Sequence, residues 1–125
     1  MKKVRVLLVE DDLFLRDIFV ETLKEVTEYD VEAAEDGQVA YEKLKKGGWD
    51  MVLLDVNLPK HSGVEVMLML EKEGITHPSK HIILMTNSDD PSEFDPAMHL
   101  VDGYWLKTSF TPDELLEKIA LELKK

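Results

Sequence analysis

Hydrophobic positions fall into five short apolar runs, and the segments between the runs carry helical spacing. The runs cover residues 4–9, 31–34, 51–55, 81–86 and 103–106. Runs of this length, rich in Val, Ile, Leu and Met, are typical of strands that are buried on both faces of a parallel sheet. Strands that alternate with helices predict an α/β domain, here a five-stranded parallel sheet that is doubly wound, with helices on both faces.

The intervening segments predict helices with identifiable starts. These helices are predicted over residues 13–28, about 39–46, 64–73, 96–101 and from 112 onward. In the first of them, Leu15, Phe19 and Leu23 recur on one face, as in an amphipathic helix. Asp95 and Thr111 are predicted N-caps, because each is followed by a proline at the first helical position.

Length, charge and composition narrow the class of protein. A chain of 125 residues fits one domain over residues 1–125, and its formal net charge of −11 argues against nucleic-acid binding by this domain. It has no cysteine, which excludes disulfides and thiolate metal sites. The apolar start is too short for a signal peptide and runs into three acidic residues, and no run has membrane-spanning length. We therefore expect a cytoplasmic protein without a membrane partner.

Polar, chemically capable residues follow the predicted strands. The acidic run 10–12 follows the first strand, Asp55 closes the third, Thr86 closes the fourth, and Lys107 follows the fifth. The carboxyl ends of parallel strands meet at one edge of the sheet, where open α/β sheets bind their ligands. Each residue also has an ordinary alternative, since an Asp after a strand often begins a turn and acidic residues favour a helix N-terminus.

If these side chains meet, their chemistry suits phosphoryl transfer. Clustered carboxylates repel one another unless a cation is present, and oxygen ligands favour a hard cation such as Mg²⁺. Lys107 would add a fixed positive charge, and phosphoryl transfer depends on stabilising charge on the phosphoryl oxygens. A carboxylate is also a competent nucleophile, so Asp55 is the candidate phosphoryl acceptor.

Four sequence pieces in the same order and spacing resemble the receiver domain of two-component response regulators, of the single-domain, chemotaxis-regulator-like kind. The pieces are residues 7–12, residues 53–59 with Gly63, residues 83–86 and residues 104–107. The resemblance extends over essentially the whole chain. It implies a flavodoxin-like fold with strand order 2-1-3-4-5.

The resemblance also implies roles for the site residues. Asp55 matches the phospho-acceptor, and Lys107 matches the lysine that pairs first with it and later with the phosphoryl group. Asp11 matches the direct ligand of Mg²⁺ (or Mn²⁺), while Glu10 would hold the ion through water. Asn57 would supply a backbone carbonyl to the metal, and Asp55 a carboxylate oxygen.

Further residues match the family's positions that move on phosphorylation or that set the lifetime of the phosphate. Thr86 matches the hydroxyl that binds a phosphoryl oxygen, and Tyr104 matches the aromatic residue that turns inward behind it. Asn57 and Ser88 would flank the approach of water and tune the lifetime of the phosphate. The partners implied are a histidine kinase or phosphotransfer protein and an unidentified downstream protein.

A docking surface for the kinase is predicted from residues that do not fit the core. Phe14 and Ile18 are apolar yet lie off the inner face of the first helix, and Thr108 lies in the loop that would face the kinase. The alternative is that Phe14 and Ile18 pack under a neighbouring loop.

The chain departs from the family pattern near the site. Thr108 stands where proline with a cis peptide usually follows the lysine, and a cis bond before a non-proline residue costs about 3 kcal/mol. We therefore expect either a trans, differently shaped loop or a strained one. Asn87 replaces a small residue, and Pro91 and Pro96 interrupt the segment before the fifth strand, so the fourth helix is expected to be short or displaced.

The leading hypothesis is a phosphorylatable signalling switch without an output domain of its own, which catalyses its own phosphorylation and dephosphorylation. A phosphorylation-independent interaction module is the alternative. An aspartyl-nucleophile phosphatase is disfavoured, because such enzymes typically need a second Asp where this chain has Asn57. The four histidines do not cluster at metal-ligand spacing, and we assign them no role.

Overall fold

The five predicted strands form one parallel sheet. A computed structural model describes residues 2–125 and gives the strand order β2-β1-β3-β4-β5. The strands are β1 (Val4–Val9), β2 (Tyr29–Ala34), β3 (Trp49–Asp55), β4 (Ser79–Thr86) and β5 (Gly103–Leu106), and the α-helices are α1 (Leu13–Lys24), α2 (Gly37–Lys46), α3 (Gly63–Lys72) and α4 (Pro112–Leu123). The doubly wound fold and the strand order 2-1-3-4-5 are confirmed.

The two faces of the sheet bury separate cores. In β3, Val52 and Leu54 point to the face that α2 and α3 cover, while Met51 and Leu53 point to the face that α1 and α4 cover. All four side chains are fully buried. A strand with apolar residues on both faces reads as a continuous apolar run, and this explains why the central strands were visible in the sequence.

Three strands begin earlier than the apolar runs predict. The structure starts β2 at Tyr29, β3 at Trp49 and β4 at Ser79, whereas the predicted starts were residues 31, 51 and 81. In β2 and β4 the extra residues include the exposed polar positions Asp30 and Lys80, so these strands continue past the point where burial ends. In β3 they include the buried Trp49, which the apolar run missed because Asp50 separates it from Met51.

The first helix is shorter than predicted. It ends at Lys24 rather than near residue 28, because a turn follows in which the Tyr29 N–H donates to the Val26 carbonyl and directs the chain into β2. The longest α-helices have 12 residues. Within residues 2–125, none has the length and apolar character that crossing a membrane requires.

The segment between β4 and β5 contains no α-helix within the described residues. It forms two 3₁₀ helices, Pro91–Glu93 and Asp95–Leu100, which replace the short helix predicted over residues 96–101. The predicted N-cap is wrong, since Asp95 lies inside the second 3₁₀ helix and its side chain caps nothing. Phe94 precedes that helix and inserts into the core, so burial of its ring stabilises the segment in addition to the short-range hydrogen bonds of the 3₁₀ turns.

The α-helix starts follow ordinary capping. Thr111 caps α4 as predicted and forms a reciprocal capping box with Glu114. Ser62 and Glu65 form the same motif at α3. Asp12 accepts a hydrogen bond from the Leu15 N–H at the start of α1, so one of the three consecutive acidic residues serves as an N-cap.

Candidate functional site

A buried cluster of charges lies at the carboxyl edge of the sheet. Glu10 follows β1, Asp55 ends β3 and Lys107 follows β5, so three strands deliver one charged side chain each. The Lys107 Nζ lies 2.6 Å from Glu10 Oε1 and 2.8 Å from Asp55 Oδ2. The exposed fractions of these side chains are 8% for Lys107, 3% for Glu10 and 2% for Asp55. The ammonium is thus held between two carboxylates, away from most of the solvent.

Backbone groups fix the other oxygens of the same carboxylates. Asp55 Oδ1 accepts from the Asn57 N–H at 2.9 Å, and Glu10 Oε2 accepts from the Asp12 N–H at 3.2 Å. Burial alone would lower the pKa of Lys107, but its hydrogen bonds to Asp55 and Glu10 outweigh burial, so its pKa lies above the ordinary value. Lys107 therefore remains charged at neutral pH.

Asp11 lies at the exposed mouth of this cluster. Glu10, Asp11 and Asp55 each offer one carboxylate oxygen, and these oxygens lie within 4.8 Å of one another. Partial burial and the neighbouring Glu10 carboxylate raise the pKa of Asp11. An all-oxygen donor set with excess negative charge fits a hard divalent cation that retains several waters.

A depression of about 460 Å³ opens above the cluster. Besides the charged residues it is lined by Asp12, Leu15, Asn57, Asn87 and Thr108. It reaches the buried carboxylate of Asp55 from solvent. Its polar, acidic lining suits a small hydrated group better than an apolar ligand.

Two glycines allow close packing of the loop that follows Asp55. The Gly37 N–H donates to the Pro59 carbonyl at 3.1 Å, and a Cβ on Gly37 would lie 2.0 Å from the His61 carbonyl oxygen. A Cβ on Gly63 would lie 2.3 Å from the Asp55 carbonyl oxygen. Gly63 was part of the sequence motif, but the role of Gly37 was missed because it depends on a contact between distant loops.

Arg16 was also missed. Its guanidinium donates to the carbonyls of Glu10 at 2.9 Å and Asp11 at 3.4 Å, and so holds the β1–α1 loop from the first turns of α1. The signal available in the sequence was the position of Arg16 one turn after the N-cap Asp12. A basic residue there can reach back to the loop carbonyls.

Comparison with known proteins identifies the family of this chain. The sequence model described as the response regulator receiver domain matches residues 6–120. The chain belongs to this family. The transcriptional regulatory protein CiaR of Streptococcus pneumoniae is 30% identical over 98% of the chain, and the alkaline phosphatase synthesis transcriptional regulatory protein PhoP of Bacillus subtilis is 32% identical over 97%. The chain spans about half the length of these relatives, 52% and 49% respectively.

Solved receiver structures have the same architecture. A CheY-like receiver domain protein from Methanospirillum hungatei is 26% identical and superposes with a TM-score of 0.81, covering 98% of this chain and 94% of that chain. The response regulator TrrA of Thermotoga maritima, solved in complex with Mg(2+)-BeF, is 33% identical with a TM-score of 0.75, covering 94% and 97%. The family implies phosphorylation on an aspartate and a histidine kinase or phosphotransfer protein as the partner.

The residues expected to switch the receiver domain lie outside the depression. Thr86 is fully buried, and its hydroxyl donates to the Ser88 carbonyl and accepts from the Ser88 N–H, both at 3.1 Å. The Ser88 hydroxyl in turn accepts from the Asp90 N–H. Of the two residues assigned to phosphate lifetime, Asn57 lines the depression, whereas Ser88 does not. Tyr104 is partly exposed, and its ring centroid lies 4.4 Å from that of Phe94.

The residues predicted to dock a kinase are accessible on the receiver domain. Phe14 is 81% exposed and Ile18 is 48% exposed, which rules out the alternative that they pack under a neighbouring loop. Thr108 is exposed beside the depression. Peptide bonds among the described residues are all trans, including Lys107–Thr108, and Lys107–Ser109 forms a single 3₁₀ turn. The loop after Lys107 is therefore trans and differently shaped, which is the first of the two alternatives expected from the sequence.

Proposed function

We propose that residues 1–125 form a receiver domain that accepts a phosphoryl group on Asp55 from the phosphohistidine of a histidine kinase or phosphotransfer protein. The reaction would depend on Mg²⁺ (or Mn²⁺) and would change the surface that a downstream protein recognises. The observation that carries the proposal is the buried Asp55 carboxylate, held 2.8 Å from Lys107 at the base of an acidic depression.

The transfer would form one bond and break one. A carboxylate oxygen of Asp55 attacks phosphorus, the P–N bond to the donor imidazole breaks, and its electron pair returns to the imidazole. The Lys107 ammonium, already bonded to Asp55 Oδ2, is in reach to pair with a phosphoryl oxygen once that carboxylate is esterified. The Asn57 N–H holds Asp55 Oδ1 and so fixes the orientation of the nucleophile.

The acidic residues would hold the metal. Asp11 would ligate it directly, Glu10 through water, Asp55 through a carboxylate oxygen and Asn57 through its backbone carbonyl. When bound, the ion supplies positive charge that offsets negative charge on the transferring phosphoryl oxygens. Glu10 is engaged by Lys107 at 2.6 Å, which is consistent with an indirect role for Glu10.

Thr86 and Tyr104 would couple phosphorylation of Asp55 to a change at the protein surface. To reach a phosphoryl oxygen, the Thr86 hydroxyl must leave both of its bonds to Ser88, which ties the β4 loop to the phosphorylation state. Tyr104 packs on Phe94 at the surface and would turn inward as Thr86 moves. Asn57 and Ser88 would tune phosphate lifetime, while Phe14, Ile18 and Thr108 would contact the kinase.

The proposal is tested by intact-mass spectrometry of the protein incubated with a small acyl phosphate and Mg²⁺. We expect the wild type to gain the mass of one phosphoryl group, and both chelation of Mg²⁺ and Asp55→Asn to abolish the gain. The matched control is Asp50→Asn, which changes an Asp near the other end of the same strand and should be phosphorylated normally. A wild type that remains unmodified, under conditions in which another receiver domain is phosphorylated, would favour the phosphorylation-independent interaction module.

A further inference from the structure

Three potential metal ligands meet at the amino edge of the sheet, opposite the phosphorylation site. His81 lies near the start of β4, Asp102 directly precedes β5, and Glu122 lies in the last turn of α4. One ring nitrogen and one oxygen from each carboxylate lie within 4.8 Å of one another. No local pattern in the sequence indicates this cluster, because its members are about twenty residues apart along the chain.

Glu122 is a buried carboxylate that the proposed switch does not use. Its side chain is 7% exposed, and among residues 2–125 the basic side chains that contact its carboxylate are those of His81 and Lys125. Glu122 Oε2 lies 3.5 Å from His81 Nδ1, and Oε1 lies 3.3 Å from Lys125 Nζ. Both distances exceed the 2.6 Å and 2.8 Å pairs of Lys107, so this buried anion is much less well compensated.

The other two ligands are held in place by β-structure. The Asp102 side chain accepts from the Ile82 N–H at 2.7 Å, while the Asp102 N–H donates to the Ile82 carbonyl at 2.8 Å. One carboxylate oxygen of Asp102 is therefore fixed, and the second remains to bind an ion. His81 itself lies within the β3–β4 ladder, paired in register with Met51.

The spacing suits a small transition-metal ion. Two ligands bound at about 2.1 Å around a tetrahedral ion lie about 3.4 Å apart, which is close to the separation of His81 Nδ1 and Glu122 Oε2. The ligand oxygen of Asp102 already lies within 4.8 Å of the other two ligand atoms, and because this side chain is exposed, a small adjustment would bring it to bonding distance of a shared ion. Imidazole together with carboxylates favours zinc-like ions, whereas Mg²⁺ prefers oxygen ligands and water.

We propose that His81, Asp102 and Glu122 form a second divalent-cation site, which takes a first-row transition metal of the Zn²⁺, Co²⁺ or Ni²⁺ type. Three protein ligands leave a coordination position for water. The ion would compensate the buried Glu122 carboxylate and would join the end of α4 to the starts of β4 and β5. Lys125, which is 72% exposed, would leave Glu122 when the ion enters.

The test is a Co²⁺ titration of the full chain, first freed of transition metals by chelation and then kept in saturating Mg²⁺, which is present to occupy the acidic depression. Visible absorption of bound Co²⁺ reports coordination geometry, and Zn²⁺ is then added as a competitor. We expect His81→Gln and Asp102→Asn each to weaken binding about tenfold or more. Lys125→Gln should strengthen binding, because it removes the competing cation. At the same concentration, zinc should raise the thermal midpoint of the wild type by more than that of His81→Gln.

The matched control is His99→Gln. His99 also contacts a carboxylate, with Nε2 2.6 Å from Glu71 Oε2, but this pair is exposed and has no third ligand in the described structure. His99→Gln should bind Co²⁺ as the wild type does. Equal binding by His81→Gln, or a loss of binding in His99→Gln, would overturn the proposal and indicate adventitious binding to a surface of net charge −11. Failure of the wild type to bind Co²⁺ or Zn²⁺ would overturn it as well.

Discussion

The two edges of the sheet bury carboxylates in very different ways. At the carboxyl edge, Glu10 and Asp55 share the buried Lys107 at 2.6 Å and 2.8 Å, and backbone N–H groups bind their other oxygens. At the amino edge, the contacts of Glu122 with basic side chains in residues 2–125 are the longer ones to His81 and to the exposed Lys125. In the first arrangement each oxygen of the two buried carboxylates has a close hydrogen-bond partner, and in the second the buried carboxylate has longer contacts. The difference indicates that the fold holds the charged side chains of the carboxyl edge in one arrangement.

The glycines differ between the same two edges. A Cβ on Gly37 or Gly63 at the carboxyl edge would meet a backbone carbonyl of the loop around Asp55. Gly47 and Gly74 follow helices at the amino edge, where a Cβ would meet nothing within 4 Å and the glycine is required by its positive φ. At the amino edge a Cβ on Gly48 would meet only the flexible side chain of Arg5, so close packing of a glycine against backbone is found at the carboxyl edge.

The largest expected effect comes from removing the central cation of the carboxyl edge. Lys107→Ala leaves two buried carboxylates unpaired, and we expect the free energy of unfolding to fall by about 3 kcal/mol in chelator-treated buffer. The rate of phosphorylation by a small phosphodonor should fall by about a hundredfold. Urea denaturation and intact-mass time courses measure the two effects.

The control for this variant is Lys80→Ala, at the other edge. Lys80 is 74% exposed and lies 3.4 Å from Asp50, so its loss should cost less than about 1 kcal/mol. If both lysine variants lost the same stability, the contrast between the edges would be wrong.

The next largest effect is expected from substitution of Gly37, which makes a close contact. Gly37→Ala forces its Cβ into the His61 carbonyl, and we expect a loss of about 1–3 kcal/mol together with slower phosphorylation, since the loop after Asp55 must shift. Gly74→Ala should cost about 1 kcal/mol from its φ of +81° alone and leave phosphorylation unchanged. Normal phosphorylation of Gly37→Ala would show that the loop is not held as we describe.

A smaller effect, an increase in the free energy of unfolding, is expected at Asp11 in the opening of the acidic depression. Burial and Glu10 raise the pKa of Asp11 above its ordinary value, so the ionised carboxylate is less stable in the folded protein than in the unfolded chain. Asp11→Asn should therefore stabilise the metal-free protein by less than about 1 kcal/mol. Asp12→Ala removes the N-cap of α1 and should destabilise it by about 1 kcal/mol. Urea denaturation in chelator distinguishes these neighbours, and equal signs would contradict the assignment.

The smallest effect on stability is expected on α1. Replacing both Phe14 and Ile18 with Ala should change the free energy of unfolding by less than about 0.5 kcal/mol, because both side chains are exposed. Phosphotransfer from the cognate kinase should slow, while reaction with a small phosphodonor should not. Leu121→Ala, an exposed apolar change on α4, is the control. Unchanged phosphotransfer in the double variant would remove the docking assignment.

The sequence predicted what short-range patterns control. The apolar run ending at Asp55 revealed both a buried strand and the residue at its carboxyl end, and the same logic located Lys107. It could not predict the 3₁₀ geometry after β4, since burial of Phe94 overrides local helical signals there. Contacts between distant loops, such as Gly37 with His61, leave no periodic trace in the chain.

Chemical mapping of the phosphorylated residue tests the central claim most directly. The protein is phosphorylated with a small acyl phosphate in Mg²⁺ and reduced with borohydride, which converts an aspartyl phosphate to homoserine, and its peptides are then sequenced by mass spectrometry. Our account predicts homoserine at position 55 and nowhere else. Homoserine at position 11 or 12, or a phosphate retained on histidine with position 55 unmodified, would contradict it.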